Sequence, residues 1–260
     1  MRDLTITLIQ TPLHWEDIEA NLAAVEKRLD RLDVDTDLVV LPEMFTTGFT
    51  MNAALLAQEM SGPAVQWLTQ MAGRVGCAIT GSMIIQEGQR YYNRLLWAQP
   101  DGQLEYYDKR HLFRMSGEHE IYSAGARHLT IHLHGWRLRP FICYDLRFPV
   151  WLRNVANAYD AAIYIANWPR PRSMHWKRLL QARAVENQSY VVGVNRVGTD
   201  GNGQDYSGDS MVIDPKGEVR FQAGERPCVQ SVSLSYSDLV EYRETFPAWR
   251  DADQFRMIRD

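Results

Sequence analysis

In Phe141-Ile142-Cys143-Tyr144-Asp145-Leu146-Arg147-Phe148-Pro149 an apolar, β-prone segment runs up to a cysteine, and a proline suited to a first helical turn follows. The stretch predicts a strand that enters a helix through a corner at Cys143. A side chain there projects from the carboxyl edge of a sheet, and the backbone N–H groups that open the next turn have no intrahelical partners and point at an anion. A thiol in that position can be pushed toward thiolate and can meet a developing oxyanion at once. By pattern alone Cys143 reads more simply as a buried residue closing a strand, because free cysteine is among the most buried residue types.

The same punctuation recurs on both sides of the corner. Leu4, Ile6 and Leu8 alternate with Thr5 and Thr7 as a first strand, and Ile18, Leu22, Val25, Leu29 and Leu32 recur at helical spacing. Residues 38–41 form a short, continuously apolar run, which predicts a strand buried on both faces. A second helix starts at Pro63 and stops by Gly76. Residues 77–85 and 91–98 read as strands joined by a turn at Glu87-Gly88, followed by a strand at 103–107. Residues 109–127 have no period and read as a long ordered loop. Strands at 129–133 and 136–143, a helix at 149–157, a strand at 161–166, a helix at 173–188 and a strand at 190–195 follow. Glycines and aspartates at 198–209 read as turn chemistry. Two closing strands, 210–213 and 218–221, flank Asp214-Pro215-Lys216-Gly217. This order implies an α/β chain with mixed sheets layered by helices. No linker interrupts it, so 1–260 is read as a single domain, with 236–260 as a C-terminal extension lying on that domain or on a partner subunit.

Composition narrows the functional classes. With 45% hydrophobic and 23% charged residues the chain is neither disordered nor fibrous. A formal charge of −4 provides no broad basic face for nucleic acid. Apolar runs such as 38–41 and 191–194 fall far short of the about 20 residues that span a bilayer. The opening MRDLTITLIQ lacks the basic and apolar regions of a signal peptide. Three widely spaced cysteines, Cys77, Cys143 and Cys228, fit a reducing cytoplasm.

Two further residues stand at strand ends. Glu43 follows Val39-Val40-Leu41-Pro42, where a carboxylate is held rigidly and can be desolvated into a general base. Lys109, in Tyr107-Asp108-Lys109-Arg110-His111-Leu112, could stabilise a tetrahedral oxyanion. Taken singly, Glu43 reads as a loop carboxylate and Lys109 as surface charge. Taken together, residues 41–45, 108–112 and 143–149 resemble the nitrilase superfamily of carbon–nitrogen hydrolases. Asn167-Trp168-Pro169, His175-Trp176, residues 181–188 and Gly208-Asp209-Ser210 extend the resemblance over roughly residues 4 to 222. The helix at 181–188 reads as packing and salt bridges.

The resemblance implies a four-layer α-β-β-α sandwich and a homodimer or a multiple of one, with no cofactor and no metal. It implies that Cys143 attacks an amide carbonyl, that Glu43 takes the thiol proton, and that Lys109 with the Tyr144 backbone N–H holds the oxyanion. A second glutamate supports the lysine in this superfamily. By spacing from Gly125 that residue is Glu118, with Glu120 in reserve.

Residues 108–114, 143–149 and 242–249 are most similar to the omega-amidase branch, whose substrates are monoamides of 2-oxo dicarboxylic acids. Such a substrate keeps a carboxylate at its far end. Arg147 is the candidate partner, alternatively a structural arginine bridging the corner to Asp145 or to the helix. Phe49, Trp168 and His175 are candidate pocket walls, although residues like Phe49 and Trp168 are more often core. A nitrilase or an N-carbamoyl hydrolase would use the same Glu-Lys-Cys set. A metal-binding reading rests on His128, His132 and His134, with His132 and His134 on one strand face, but no third ligand stands at zinc spacing. A non-catalytic scaffold is the remaining reading, and it would tolerate Cys143→Ala.

Overall fold

The computed structural model describes residues 1–32, 35–253 and 255–257. In the first half, β1 (Leu4–Gln10), α1 (Ile18–Leu29), β2 (Leu38–Val40), α2 (Ala53–Leu56), α3 (Pro63–Val75), β3 (Ala78–Glu87), β4 (Arg90–Ala98), β5 (Leu104–Asp108) and α4 (Glu118–Ile121) follow in order. The second half carries β6 (Ile131–Leu133), β7 (Trp136–Ile142), α5 (Pro149–Leu152), β8 (Ala161–Ala166), α6 (Ser173–Asn187), β9 (Tyr190–Asn195), β10 (Val197–Thr199), β11 (Asp205–Ser207), β12 (Met211–Ile213), β13 (Val219–Gln222), β14 (Cys228–Leu234) and α7 (Tyr236–Thr245). The Asp17 carboxylate caps α1 by accepting from Ala20 N at 2.9 Å. Helix α3 begins at Pro63 and ends on Gly76, whose φ of 73° is left-handed.

Among the described residues the strands form two six-stranded sheets, β14-β1-β2-β3-β4-β5 and β13-β12-β9-β8-β7-β6, and a ribbon β10-β11. Strands β1, β2 and β3 run parallel, as do β7, β8 and β9, while the outer strands pair antiparallel. The period of two along each strand builds the layers. Leu4, Ile6, Leu8, Leu38 and Val40 face the second sheet and share a core with Leu138, Ile142, Ile163 and Val192. Their neighbours Ile9, Val39 and Leu41 point the other way, onto Val25 and Leu29 of α1 and Val65 and Leu68 of α3. Burying each such side chain stabilises the fold by about 1.5–3 kcal/mol before the entropic cost of ordering it. Trp176, Leu180 and Ala184 of α6 cover the outer side of the second sheet. The result is the expected α-β-β-α sandwich.

The structure corrects several sequence expectations. Residues 109–127 contain a 3₁₀ turn, Arg114–Ser116, and the one-turn helix α4, both too short to show a period. The helix expected at 149–157 stops after Leu152, and Ala156 and Asn157 take φ values of 51° and 53° that no helix continues. Residues 198–209 hold the β10-β11 ribbon as well as turns. Three elements went unread: the one-turn helix α2, strand β14 and helix α7. Strand β14 is the edge partner of β1, and its outward polar residues hide its period. Helix α7 docks the C-terminal segment on its own domain through Arg243, which donates to Gln188 O, Asp160 Oδ1 and Tyr159 O, each at 2.8 Å.

Candidate active site

Four strand ends open onto one place. Glu43 lies just beyond β2, Lys109 directly follows β5, Cys143 directly follows β7, and Asn167 directly follows β8. Carboxyl ends of strands are where open α/β sheets present side chains, because the chain there must turn and leaves backbone groups unpaired. Two of the turns need unusual backbone: Cys143 and Met44, next to Glu43, both have φ near 43°. Non-glycine residues adopt this region at a cost of about 1–3 kcal/mol, which the surrounding structure must hold in place.

Neighbouring contacts fix each corner. Asp145, fully buried, accepts from Tyr107 Oη at 2.7 Å, from His111 N at 2.9 Å and from Ile142 N at 3.1 Å, and it contacts His111 Nδ1 at 2.8 Å. It therefore ties the lysine loop to the cysteine corner and is not the partner of Arg147. Arg183 of α6 donates to Leu146 O at 2.8 and 3.2 Å and pairs with Glu186 at 3.0 Å, the packing role read for that helix. Asp108 is gripped by Arg94 at 2.6 and 3.0 Å, which leaves the next residue, Lys109, to face inward. Gly125 passes so close that a Cβ would lie 2.0 Å from Asp108 O, and its N–H donates to Lys109 O at 2.8 Å.

Lys109 is buried, and its Nζ donates to Glu43 Oε1 and to both Glu118 oxygens, each at 2.9 Å. Glu118 also accepts from Phe113 N at 2.5 Å. Glu120 lies exposed away from this cluster, so the alternative between the two glutamates resolves geometrically to Glu118. Asn93 Nδ2 donates to Glu43 Oε1 at 2.8 Å, and Asn167 N donates to Glu43 Oε2 at 2.8 Å. Cys143 Sγ sits 4.0 Å from Asn167 O, beside the same carboxylate.

Burial sets the resting charges. It pushes the Cys143 thiol well above its ordinary range, and the Glu43 carboxylate pushes it further against the weaker pull of Lys109. The sulfur therefore keeps its proton at neutral pH and needs a base within reach. Burial would lower the Lys109 pKa, but Glu118 and then Glu43 outweigh it and raise it, so the amine stays an ammonium. Burial likewise raises Glu118, with Lys109 opposing.

These groups face a cavity of about 480 Å³ walled by Trp15, Phe49, Phe113, Tyr144, Trp168 and Tyr206. Phe49 lies under Lys109, its ring centroid 5.1 Å from Nζ. Arg147 lines the cavity with its guanidinium 4.8 Å over Trp168, which is at once core and pocket wall. His175 does not line the cavity; it touches Arg147 through Nδ1 at 3.1 Å, because its side chain lies on the exposed face of α6. Tyr144 is the second residue of the turn Cys143–Arg147, where an N–H has no carbonyl partner within the turn.

Among the described residues no three His, Cys, Asp or Glu side chains could hold a metal, and no helix is long and apolar enough to cross a membrane. His134 sits in the β6-β7 turn with φ 50°, not on the strand with His132, and contacts Asp37 at 3.3 Å. His128 stacks on Trp151 at 3.8 Å. Sequence reading missed Asn93, Arg172 and the Asp145 network. Asn93 left a signal, as a polar residue beside Arg94 at the head of the apolar run of β4.

Residues 5–244 match the family model for carbon–nitrogen hydrolase. The chain belongs to that family and is an amide-hydrolysing enzyme. It is 50% identical over 260 residues to the Escherichia coli K12 protein named omega-amidase YafV, covering 99% of this chain and 100% of that one. It is 34% identical over 251 residues to a 2-oxoglutaramate amidase of Bacillus subtilis, covering 95% and 96%. The fold matches the crystal structure of a CN-hydrolase superfamily protein from Xanthomonas campestris with a TM-score of 0.97 at 45% identity, covering 99% and 100%. That protein carries an arsenic adduct in its active site.

Proposed function

We propose that this enzyme hydrolyses the terminal amide of small 2-oxo dicarboxylic acid monoamides, 2-oxoglutaramate and 2-oxosuccinamate, to the 2-oxo acid and ammonia. One observation carries the substrate class. Arg147, a half-buried cation with no carboxylate partner among the described residues, shares an aromatic cavity with Cys143, Glu43 and Lys109. A guanidinium over an aromatic face suits a substrate carboxylate, which it can bind bidentately. The names of the relatives support the same class.

Glu43 takes the thiol proton as Cys143 Sγ attacks the amide carbon. The oxyanion is held by the Lys109 ammonium and the Tyr144 N–H, and Glu118 keeps Lys109 charged and oriented. The proton passes to the nitrogen, ammonia leaves, and an S-acyl thioester remains on Cys143. Water, deprotonated by Glu43, then releases the acid and restores the thiol. No redox step or cofactor enters this balance. Mass spectrometry of enzyme quenched during turnover tests the scheme. The expected product is an acyl adduct on the Cys143 peptide with the mass of the 2-oxo acid less water; rapid turnover with the label on another residue refutes it. Ammonia release from a nitrile or a carbamoyl amino acid in preference to the 2-oxo amide refutes the substrate class.

Arg147→Lys replaces a planar fork by a point charge, so KM for the carboxylate-bearing amide should rise about tenfold while a neutral amide is little affected. Equal effects on both substrates would remove Arg147 from the carboxylate pocket. We also propose a homodimer, supported by the exposed apolar side chains of Val150, Val155, Val185 and Phe246.

A further inference from the structure

Two arginines reach the cavity from different elements. Arg147 comes from the turn after the cysteine corner, and Arg172 from the 3₁₀ turn Arg170–Arg172 that precedes α6. Trp168 links them: Arg147 lies over its ring, and its Nε1–H donates to the Arg172 carbonyl at 2.8 Å. The Arg172 guanidinium lies 5.4 Å from the ring centroid of Phe113, another lining residue. Among the described residues neither arginine forms an ion pair, whereas Arg170, two residues from Arg172, is bound to Glu225 at 2.8 Å.

The two cations also feel each other. Burial lowers the Arg147 pKa, and the charge of Arg172 lowers it further. Folding has thus brought two like charges together in a chain whose 32 acidic residues outnumber its 28 basic ones. Neutralising carboxylates were there to be recruited, and Arg170 recruited one. Two cations without a carboxylate partner, facing one aromatic cavity, are complementary to an anion.

We propose that Arg172 is a specificity-determining residue, a second cation that holds the distal substrate carboxylate together with Arg147 and so selects anionic over neutral amides. The inference rests on the reading of the substrate as a carboxylate-bearing amide and adds a residue that the cysteine motif does not contain.

The test is steady-state kinetics of the wild-type enzyme, Arg172→Gln and Arg172→Lys on 2-oxoglutaramate and on pentanamide, a neutral amide of equal chain length. Thermal unfolding of each variant is followed in parallel. In the wild type, kcat/KM should favour 2-oxoglutaramate. In Arg172→Gln that preference should fall about 10–100-fold, chiefly through KM for 2-oxoglutaramate, with the smaller change on pentanamide. Arg172→Lys should recover part of the preference, because charge is restored without the planar fork. A uniform loss on both substrates, or an unchanged preference in both variants, overturns the role of Arg172 while leaving the substrate class intact. A wild-type enzyme without preference for the anionic amide overturns the substrate class itself, and the inference with it. If Arg172→Gln fails to fold, the shift in preference measured in Arg172→Lys alone decides, since that variant keeps the charge and length.

Discussion

Cys143→Ala should release no measurable ammonia from any amide while melting within a few degrees of the parent enzyme. The size of the loss follows from the proposed chemistry, in which the sulfur forms the covalent intermediate: losing the nucleophile of a hydrolase costs on the order of 10⁶ in kcat. The small effect on stability follows from the structure. The sulfur makes only weak polar contacts, at 4.0 Å to Asn167 O and with the neighbouring Glu43 carboxylate, and is partly exposed to the cavity. Alanine keeps the Cβ and meets the left-handed backbone of the corner, φ 43°, as cysteine does. A substitution that loses so little packing shifts stability by about 1 kcal/mol or less. Ammonia assays at high enzyme concentration, run beside thermal unfolding, check both halves. Turnover above about one part in a thousand would assign the nucleophile elsewhere.

Lys109→Met should damage both activity and stability. Its Nζ stands 2.9 Å from Glu43 and from Glu118, all three side chains being buried. Removing the ammonium leaves two carboxylates facing each other in a water-poor site. Breaking a buried ion pair from one side costs about 3–5 kcal/mol, because the remaining charge loses its compensation. Catalysis loses an oxyanion donor, about 10²–10³ in rate. It loses more because Glu43 loses the ammonium that orients it toward the thiol.

The pH dependence of the deficit has a defined sign. Burial already raises the Glu118 pKa above its unfolded value even with Lys109 present, and removing the lysine takes away the opposing charge. The folded variant therefore binds more protons than the unfolded chain, so its stability falls as pH rises through the folded-state pKa. Chemical denaturation between pH 5 and 8 should show the gap to the parent widening with pH. Lys109→Met with Glu118→Gln should recover part of the stability and none of the activity. A variant as stable as the parent at pH 8 would refute the buried-charge account.

Much of the scaffold could be read from the chain because its signals are local. Alternation in β1, the 3.6-residue spacing of α1, and Pro63 with Gly76 around α3 each express backbone sterics and burial within a dozen residues. Elements whose stability comes from elsewhere were missed. Strand β14 exists because β1 offers it an edge, and α7 because Arg243 finds Asp160 and Gln188 on distant elements. The short turns around Glu118 hold no periodic face; a lysine ammonium and a Phe113 N–H fix them.

The chain alone carried the α/β architecture, the strand-end positions of Glu43, Lys109 and Cys143, and the family resemblance, since motif spacing and hydrophobic period are properties of neighbours in sequence. Proximity across the fold was needed to separate Glu118 from Glu120, to remove His175 from the pocket wall, to free Arg147 from Asp145, and to bring Arg172 to Arg147. Each of those outcomes depends on which groups share one desolvated volume. Coulomb energy and the penalty for burying charge vary steeply with distances that only the packed sheets impose.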